Sequence, residues 1–331
     1  MVFPNNRVQA SGLPAGGSFF NSPSRLGQSF TPTTSARDEM PRLAYVNHAF
    51  VPLDRAAVHV EDRGFQFADG IYEVCAVLNG QLLDWPLHLD RWTRNLSALL
   101  IPAPMSAAAL TLVARRLIAL NGYKDALLYI QVTRGEARRD HPFPADAQPT
   151  LVMTVRRFDF AARVPQQAVG VKVTSVTDQR WGRCDIKTVA LLPNVLAKQT
   201  ARLAGSFEAW FVSNDGVVAE GGSTNAWIVD AAGTVITHPL SARILPGIMR
   251  ASLLRLAHAA QIKVEERAFT LAEAQAAPEA FLTSTTAPCL GIVEIDGVKV
   301  GGGRPGPVTR RLGELLWAEI ERQTGFRPPA A

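Results

Sequence analysis

The chain has 331 residues, of which 47% are hydrophobic and 19% charged, a composition that is typical of a globular protein and excludes a disordered one. The net charge of +5 arises from scattered basic residues, so nothing in the sequence indicates nucleic-acid binding. No apolar run approaches the roughly 18 residues of a membrane span. The length predicts two domains, each able to bury its own core.

Three widely separated cysteines, Cys75, Cys184 and Cys289, form no Cys-x-x-Cys pair. They predict a reducing, cytoplasmic location without structural zinc or another metal site. Residues 1–41 are rich in Ser, Pro, Gly and Asn, lack hydrophobic periodicity and lack the apolar stretch of a secretory signal. We expect a disordered extension there. A misplaced start, with Met40 as the initiator, and a transit peptide are alternative interpretations.

Residues 42–158 predict a small α+β domain. Its predicted strands lie at residues 43–52, 70–85, 126–135 and 150–158. The second of these segments is a hairpin that turns at Asn79-Gly80, a dipeptide that favours tight β-turns. Pro86 opens a predicted helix, and Ser106 caps a second helix that ends near Gly122.

A linker is predicted over residues 159–167, followed by a large α+β domain over residues 168–325. Its predicted helices begin near Ala190 and directly after Pro246-Gly247. Its predicted strands lie at residues 169–176, 208–213, 217–229, 234–238 and 279–286. Two α+β domains commonly hold a functional site between them, and we expect that arrangement here.

Lys187 is the first candidate for chemistry. Only 6 of the 34 basic residues are lysines, so a lysine stands here where the chain usually places arginine. A lysine with apolar neighbours can lose its proton and form a Schiff base, which arginine cannot do. A loop lysine that caps a helix or pairs with Asp185 is the alternative. Lys198 shares helical spacing with Asn194 and Arg202, which predicts a solvated helix face.

Other segments offer groups that bind anions. The Pro246-Gly247 turn leaves the amides of Ile248 and Met249 as free helix donors, which suit a phosphate, although an ordinary turn explains the same residues. Residues 283–286 (TSTT) could add donors. The loop 134–144 holds three arginines and a histidine within eight residues, a pattern that fits a carboxylate clamp or a solvated loop. Glu220 and Arg91 each fit either a cofactor contact or an exposed position.

Eight segments between about residues 43 and 320 are informative together: EDRGFQFADGIYEV, HLDRW, YIQVTRG, RWGRCDIKT, LAKQ, AEGGSTN, ILPGIMR and TSTT. They occur in the order found in D-amino-acid aminotransferases, pyridoxal-phosphate enzymes grouped with branched-chain aminotransferases and aminodeoxychorismate lyases. Over this range the chain therefore resembles this family. The resemblance implies the two-domain α+β fold of this family, with pyridoxal 5′-phosphate at the domain interface.

The resemblance also implies individual roles. Lys187 would form the Schiff base, and Glu220 would pair with the pyridine nitrogen. The remaining cofactor contacts would be Arg91, Ser223, Thr224, Ile248, Met249 and Thr285. Tyr72, Arg139 and His141 would form the carboxylate trap that marks the D-amino-acid branch. The alternation of side chains along a strand is compatible with this role of Tyr72, because Tyr72 can point into a site while Glu73 points away.

Several positions depart from the family pattern. Met249 and Gly222 stand where hydroxyl residues are common, Phe65 where tyrosine is frequent, and Gly182 where a bulky apolar residue is usual. These departures concern the size of the pocket and the affinity for the cofactor, and they leave the reaction class unchanged.

The expected function is transamination between D-amino acids (D-Ala, D-Glu, D-Asp) and 2-oxo acids such as 2-oxoglutarate or pyruvate, by a homodimer without nucleic-acid or membrane partners. The alternatives are a branched-chain L-aminotransferase, an (R)-amine transaminase and an aminodeoxychorismate lyase, against which the Arg139-x-His141 pair argues. A catalytically dead homologue acting as a binding protein is a further alternative. The presence of both Lys187 and Glu220 argues against it.

Overall fold

The computed structural model describes residues 42–328. The extension predicted at residues 1–41 lies outside the described residues. Residues 42–328 belong to one compact unit with two β-sheets and helices packed on them, which is the α+β fold predicted. The finer division into a small and a large domain stays a prediction. None of the helices in this part of the chain is long and apolar enough to cross a membrane.

The first sheet has six antiparallel strands in the order β2-β1-β6-β5-β3-β4. These strands are β1 (Leu43–Val46), β2 (Ala49–Pro52), β3 (Gly70–Leu78), β4 (Gln81–Leu82), β5 (Ala126–Thr133) and β6 (Thr150–Arg157). The predicted hairpin turn is confirmed at Asn79 and Gly80, whose φ angles are 49° and 76°. Two consecutive positive φ angles produce the backbone twist of a tight β-hairpin.

Three helices accompany the first sheet: α1 (Arg63–Phe67), α2 (Trp85–Ala98) and α3 (Ala107–Asn121). Ser106 caps α3 as predicted, because its side chain accepts a hydrogen bond from the amide of Ala109. Gly122 ends the same helix in the left-handed conformation. Apolar side chains of α2 and α3, among them Trp92 and Leu117, pack in one core with strands β3, β5 and β6.

The second sheet has nine strands, mixed in direction, in the order β12-β11-β10-β13-β14-β7-β8-β9, with β15 beside β14. They are β7 (Val171–Thr177), β8 (Glu208–Val212), β9 (Val218–Gly221), β10 (Asn225–Val229), β11 (Val235–Thr237), β12 (Val264–Glu266), β13 (Glu279–Ser284), β14 (Ala287–Ile295) and β15 (Val298–Lys299). The strand expected over residues 217–229 is divided into β9 and β10. A tight turn separates them, in which the amide of Gly221 donates to the carbonyl of Thr224 over 2.7 Å.

The helices of the second half are α4 (Val164–Val169), α5 (Leu192–Leu203), α6 (Ile248–Ala259), α7 (Leu271–Ala276) and α8 (Pro307–Thr324). Helix α4 falls partly within the predicted linker, which is therefore more ordered than its sequence suggested. Helix α6 begins directly after Pro246-Gly247, as predicted. Helix α8 packs against β14 and α6, where Leu312 and Leu316 are buried.

The segment at Lys187 joins the two halves of the fold. The amide of Tyr72, at the start of β3, donates to the carbonyl of Lys187 over 3.0 Å. The amide of Val189 in turn donates to the carbonyl of Gly70 over 3.1 Å. The backbone of β3 therefore holds this segment beside the first sheet, while helix α5 connects it to the second.

Candidate active site

A cavity of about 290 Å³ is lined by residues of both sheets. Every cofactor contact named from the sequence lies on its wall, together with one member of the expected carboxylate trap. These residues are Tyr72, Arg91, Lys187, Glu220, Ser223, Thr224, Ile248, Met249 and Thr285. The fold thus collects in one place side chains that are far apart in the chain.

The Lys187 amine lies in this cavity beside Tyr72. Its Nζ donates to the Tyr72 hydroxyl over 3.2 Å and is 4.2 Å from the centre of the Tyr72 ring. Tyr72 in turn stacks on Tyr129 with a ring separation of 5.7 Å. Asp185, the alternative partner of Lys187, instead accepts from Arg183 at 2.9 Å. Lys187 is half-buried. Because Asp185 pairs with Arg183, Lys187 has no carboxylate partner among residues 42–328.

Glu220 is held from three sides at the end of β9. Its Oε1 accepts from Arg180 at 2.5 Å, and its Oε2 accepts from Asn225 Nδ2 at 3.1 Å and from the amide of Leu245 at 3.0 Å. Arg180 is itself anchored by two hydrogen bonds to Asp178, at 3.0 and 2.8 Å. Neither Arg180 nor Asn225 was predicted as a site residue. Arg180 lies 40 residues from Glu220 in sequence, and motif spacing carries no information on such a contact, whereas Asn225 is only five residues away.

Burial and the neighbouring positive charge have opposite effects on the pKa of Glu220. Burial raises the pKa of this carboxyl to about 7, and Arg180 together with the amide of Leu245 limits the rise. The pKa of Arg180 is also raised, because Asp178 and Glu220 outweigh the opposing effect of its own burial. Arg180 therefore stays charged, and a second cation beside Glu220 would favour the ionised carboxylate.

Arg91 is buried, which excludes the surface position considered from its sequence. Its Nε and Nη2 each donate to Glu73 over 2.7 Å, and its Nη1 donates to the carbonyl of Pro246 over 3.1 Å. His88 lies 2.8 Å from the same carboxylate. Although burial alone would raise it, Arg91 and His88 lower the pKa of Glu73 to about 2. Glu73 points away from Tyr72, as strand alternation requires, and orients Arg91.

The N-terminus of α6 forms the end of the cavity near Arg91. Gly247 precedes the helix and offers no side-chain cap, so the first amides of α6 have no side-chain acceptor among residues 42–328. A Cβ at Gly247 would lie 2.1 Å from Asn225 Oδ1, which leaves no room for another residue there. With Thr285 and Arg91 also on the wall, this end has the donors that a phosphate requires.

The turn between β9 and β10 is supported from behind by Glu208. This fully buried carboxylate accepts from the Ser223 hydroxyl at 2.8 Å and pairs with Lys198 at 3.1 Å. The prediction that Lys198 lies on a solvated face holds in part, because its side chain is 38% exposed, but its Nζ neutralises a buried charge. A Cβ at Gly222 would approach both Glu208 and Lys198 at 3.1 Å, so a serine would crowd this position.

Arg139 and His141 do not line the cavity of their own chain. The His141 ring lies 5.5 Å from the ring of Phe67, and the Arg139 guanidinium lies 5.0 Å from the same ring. Arg63 donates to the main-chain carbonyls of Asp140 and His141, which fixes this part of the loop. Of the expected carboxylate trap, a single chain brings only Tyr72 to Lys187.

The donor set of the cavity fits pyridoxal phosphate. The amine of Lys187 suits the aldehyde of this cofactor. The buried carboxylate of Glu220, 33 residues further along the sequence, suits its basic ring nitrogen, and the uncapped start of α6 suits its phosphate. The Oγ1 of Thr224 is buried on the cavity wall without a hydrogen-bond partner among residues 42–328. An unpaired buried hydroxyl is costly, so it suits a polar group within the cavity.

The chain is similar in sequence to one family of known proteins. Residues 70–295 match the sequence profile of the family described as Amino-transferase class IV. The chain is 37% identical over 278 residues to a D-alanine aminotransferase of Bacillus licheniformis, covering 84% of this chain and 97% of that protein. It is 34% identical to a D-alanine aminotransferase of Listeria monocytogenes serotype 4b, covering 85% and 96%.

Solved structures share the fold at lower identity. The branched-chain amino acid aminotransferase of Escherichia coli superposes with a TM-score of 0.78 at 22% identity, covering 86% of this chain and 95% of that one. The branched-chain aminotransferase of the archaeon Thermoproteus uzoniensis, solved with norvaline, has a TM-score of 0.75 at 24% identity, again covering 86% and 95%. The fold predicted from the sequence is thereby confirmed.

Proposed function

The chain belongs to the class IV aminotransferases and is an aminotransferase, and on that premise we propose that it transfers amino groups between D-amino acids and 2-oxo acids with pyridoxal 5′-phosphate. The observation that carries the proposal is the convergence of Lys187, Glu220 and the uncapped end of α6 on one cavity. Relatives named D-alanine aminotransferase, matched over nearly their full length, support the D-configuration.

The chemistry divides between the cofactor and the chain. Pyridoxal phosphate, when bound, supplies the electron sink that makes the α-hydrogen of the substrate acidic. Lys187 would hold the cofactor covalently and then, as a free amine, move the α-proton. Tyr72 orients this amine through its hydroxyl, at 3.2 Å. Glu220 would keep the ring nitrogen protonated, and Arg91 with the first amides of α6 would bind the phosphate.

We propose a homodimer, and the position of Arg139 and His141 supports it. Both residues belong to the expected carboxylate trap, yet they lie at Phe67 and outside the cavity of their own chain. A trap that includes them therefore requires the loop of a second copy. The cytoplasmic location is proposed on the three cysteines, Cys75, Cys184 and Cys289, which are free thiols.

The test is a donor panel of paired D- and L-amino acids with 2-oxoglutarate, followed by chiral chromatography. We expect D-alanine and D-glutamate to be consumed in strong preference to their L-forms. Consumption of L-alanine, of L-leucine, or of both enantiomers equally would contradict the proposal, and L-leucine turnover would favour a branched-chain L-aminotransferase.

Two lysine variants complete the panel. Lys187→Ala is expected to lose transamination, and borohydride reduction of the wild type should attach the cofactor to Lys187 alone. Lys172→Ala is the matched control, because Lys172 forms an exposed ion pair with Glu294 at 3.0 Å. Lys198 is unsuitable as a control, since its loss would leave Glu208 buried and unpaired.

A further inference from the structure

Arg156 lies on the wall of the active-site cavity, on strand β6. It is opposite Leu127 on β5, which is in turn opposite Ala76 on β3. Side chains at these paired positions point to the same face of the sheet, and that face also carries Tyr72, four residues before Ala76. Arg156 is therefore directed to the same side of the sheet as Tyr72, about 10 Å from β3 across two strand spacings. Its guanidinium lies 5.6 Å from the centre of the Phe158 ring, a cation–π contact that adds no opposite charge.

Among the three arginines of the cavity wall, Arg156 alone has no acidic partner within residues 42–328. Arg91 is neutralised by Glu73 at 2.7 Å, and Arg180 by Asp178 and Glu220. Within residues 42–328, the side chain of Arg156 makes no hydrogen bond or ion pair. An unpaired guanidinium on the wall of a cavity is a ready site for a carboxylate, which it can bind through two parallel hydrogen bonds.

The wall between Arg156 and the Lys187 end of the cavity is apolar. Val74 and Leu127 line it, and the first is two residues after Tyr72 on the same face of β3. A substrate held near Lys187 would lay its methylene groups along these side chains. Its far end would then meet Arg156, which is exposed at the open side of the cavity.

We propose that Arg156 binds the second carboxylate of dicarboxylic substrates, so that acidic amino acids and 2-oxodicarboxylic acids are preferred to their monocarboxylic counterparts. This inference rests on the proposed function and names the substrate class of the same site. The α-carboxylate of the substrate would be bound by the expected trap of Tyr72, Arg139 and His141. Arg156 thus determines specificity and takes no part in the movement of the proton.

The kinetic test compares D-glutamate with D-alanine in the cofactor-loaded enzyme. Arg156→Gln should lower kcat/KM for D-glutamate by about tenfold, the effect of losing one partly exposed charge-assisted pair, and leave D-alanine within about twofold. Arg157→Gln is the matched control. Arg157 is the next residue of β6, also exposed but on the opposite face of the sheet, and it is not among the residues that line the cavity.

A binding test requires no turnover. Glutarate and butyrate lack an amino group, and their stabilisation of the cofactor-loaded protein can be measured as a shift in Tm. Glutarate should raise the Tm of the wild type and of Arg157→Gln more than butyrate does. In Arg156→Gln this difference should disappear.

Equal losses on D-glutamate and D-alanine would overturn the proposal, because Arg156 would then serve every substrate or the fold itself. Unchanged activity on both, or an unchanged preference for glutarate, would also overturn it. Failure of the wild type to use either D-amino acid would refute the proposed function instead. The comparison of glutarate with butyrate would still decide the role of Arg156.

Discussion

The buried carboxylate of Glu220 is oriented by its neighbours in a way that suits a positively charged group of a ligand. Its side chain is 7% exposed and accepts hydrogen bonds from Arg180, Asn225 and the amide of Leu245. These donors orient the carboxylate, yet burial still raises its pKa to about 7. A protonated ring nitrogen would add the charge that favours ionisation, so binding of the cofactor and ionisation of Glu220 are expected to be coupled.

This coupling predicts a pH dependence of stability in the cofactor-free protein. Between pH 4.5 and about 7, folded Glu220 retains a proton that the unfolded chain has lost. The contribution of Glu220 to stability is therefore complete below pH 4.5 and is lost as the pH rises through about 7, by up to about 3 kcal/mol. Glu220→Gln should lack this component, as measured by Tm across the pH range.

Addition of pyridoxal phosphate should flatten the same profile in the wild type, because the ring cation lowers the pKa of Glu220. Identical pH profiles for the wild type and Glu220→Gln would show that Glu220 is ionised throughout, and the coupling would then be wrong.

At the scale of elements, the turn ahead of helix α6 depends on one glycine. Gly247 lies against Asn225, whose Nδ2 also donates to Glu220 over 3.1 Å and to the carbonyl of Leu245 over 2.9 Å. The same amide group thus contacts the phosphate end of the cavity and the carboxylate expected to meet the ring. A change at Gly247 is therefore expected to affect both ends of the cofactor site.

Gly247→Ala should destabilise the protein by about 1–3 kcal/mol and weaken cofactor binding, since the new Cβ would lie 2.1 Å from Asn225 Oδ1. Tm and retention of pyridoxal phosphate on gel filtration measure the two effects. Gly182→Ala is the control, because a Cβ there would have no heavy atom of the described residues, 42–328, within 4 Å. Wild-type behaviour of Gly247→Ala would mean that Asn225 moves aside freely.

At the scale of the whole molecule, helix α5 carries an exposed apolar stripe. Its large side chains project at helical spacing with exposed fractions of 59–79%: Leu192, Val195, Leu196 and Leu203. A stripe of this size is unfavourable in water and is typical of a surface that another protein covers. Because α5 follows directly after the Lys187 segment, a second copy is the partner expected from the proposed dimer.

The double variant Val195→Glu, Leu196→Glu should dissociate the dimer, because it introduces charge at the apolar centre of the stripe. Light scattering after gel filtration measures the mass. Leu112→Glu is the control, since Leu112 is an isolated leucine of α3 with an exposed fraction of 70%. A dimer that survives the double variant would place its interface elsewhere, and a wild-type monomer would contradict the homodimer.

Local sequence patterns predicted much of the fold, and many of the residues they singled out line one cavity. Ser106, Asn79-Gly80 and Pro246-Gly247 mark element ends through backbone preferences that act within a few residues. The strand expected over residues 217–229 was not predicted correctly in its details, because the turn at its centre is stabilised by Glu208, which belongs to the preceding strand. Helix α4 was likewise not predicted, because most of it lies in the segment 159–167, whose composition is typical of a linker.

The sequence by itself determined the class of the fold, the family and the residues that carry the expected chemistry, since those depend on residue type and order. The tertiary structure decided which charges are neutralised: Arg91 by Glu73, Lys198 by Glu208 and Arg180 by Asp178 and Glu220, while Arg156 stays unpaired among residues 42–328. The physical reason is that ionic interactions act through space at a few ångströms. Strand register and loop closure determine those distances, and residue spacing along the chain does not encode them.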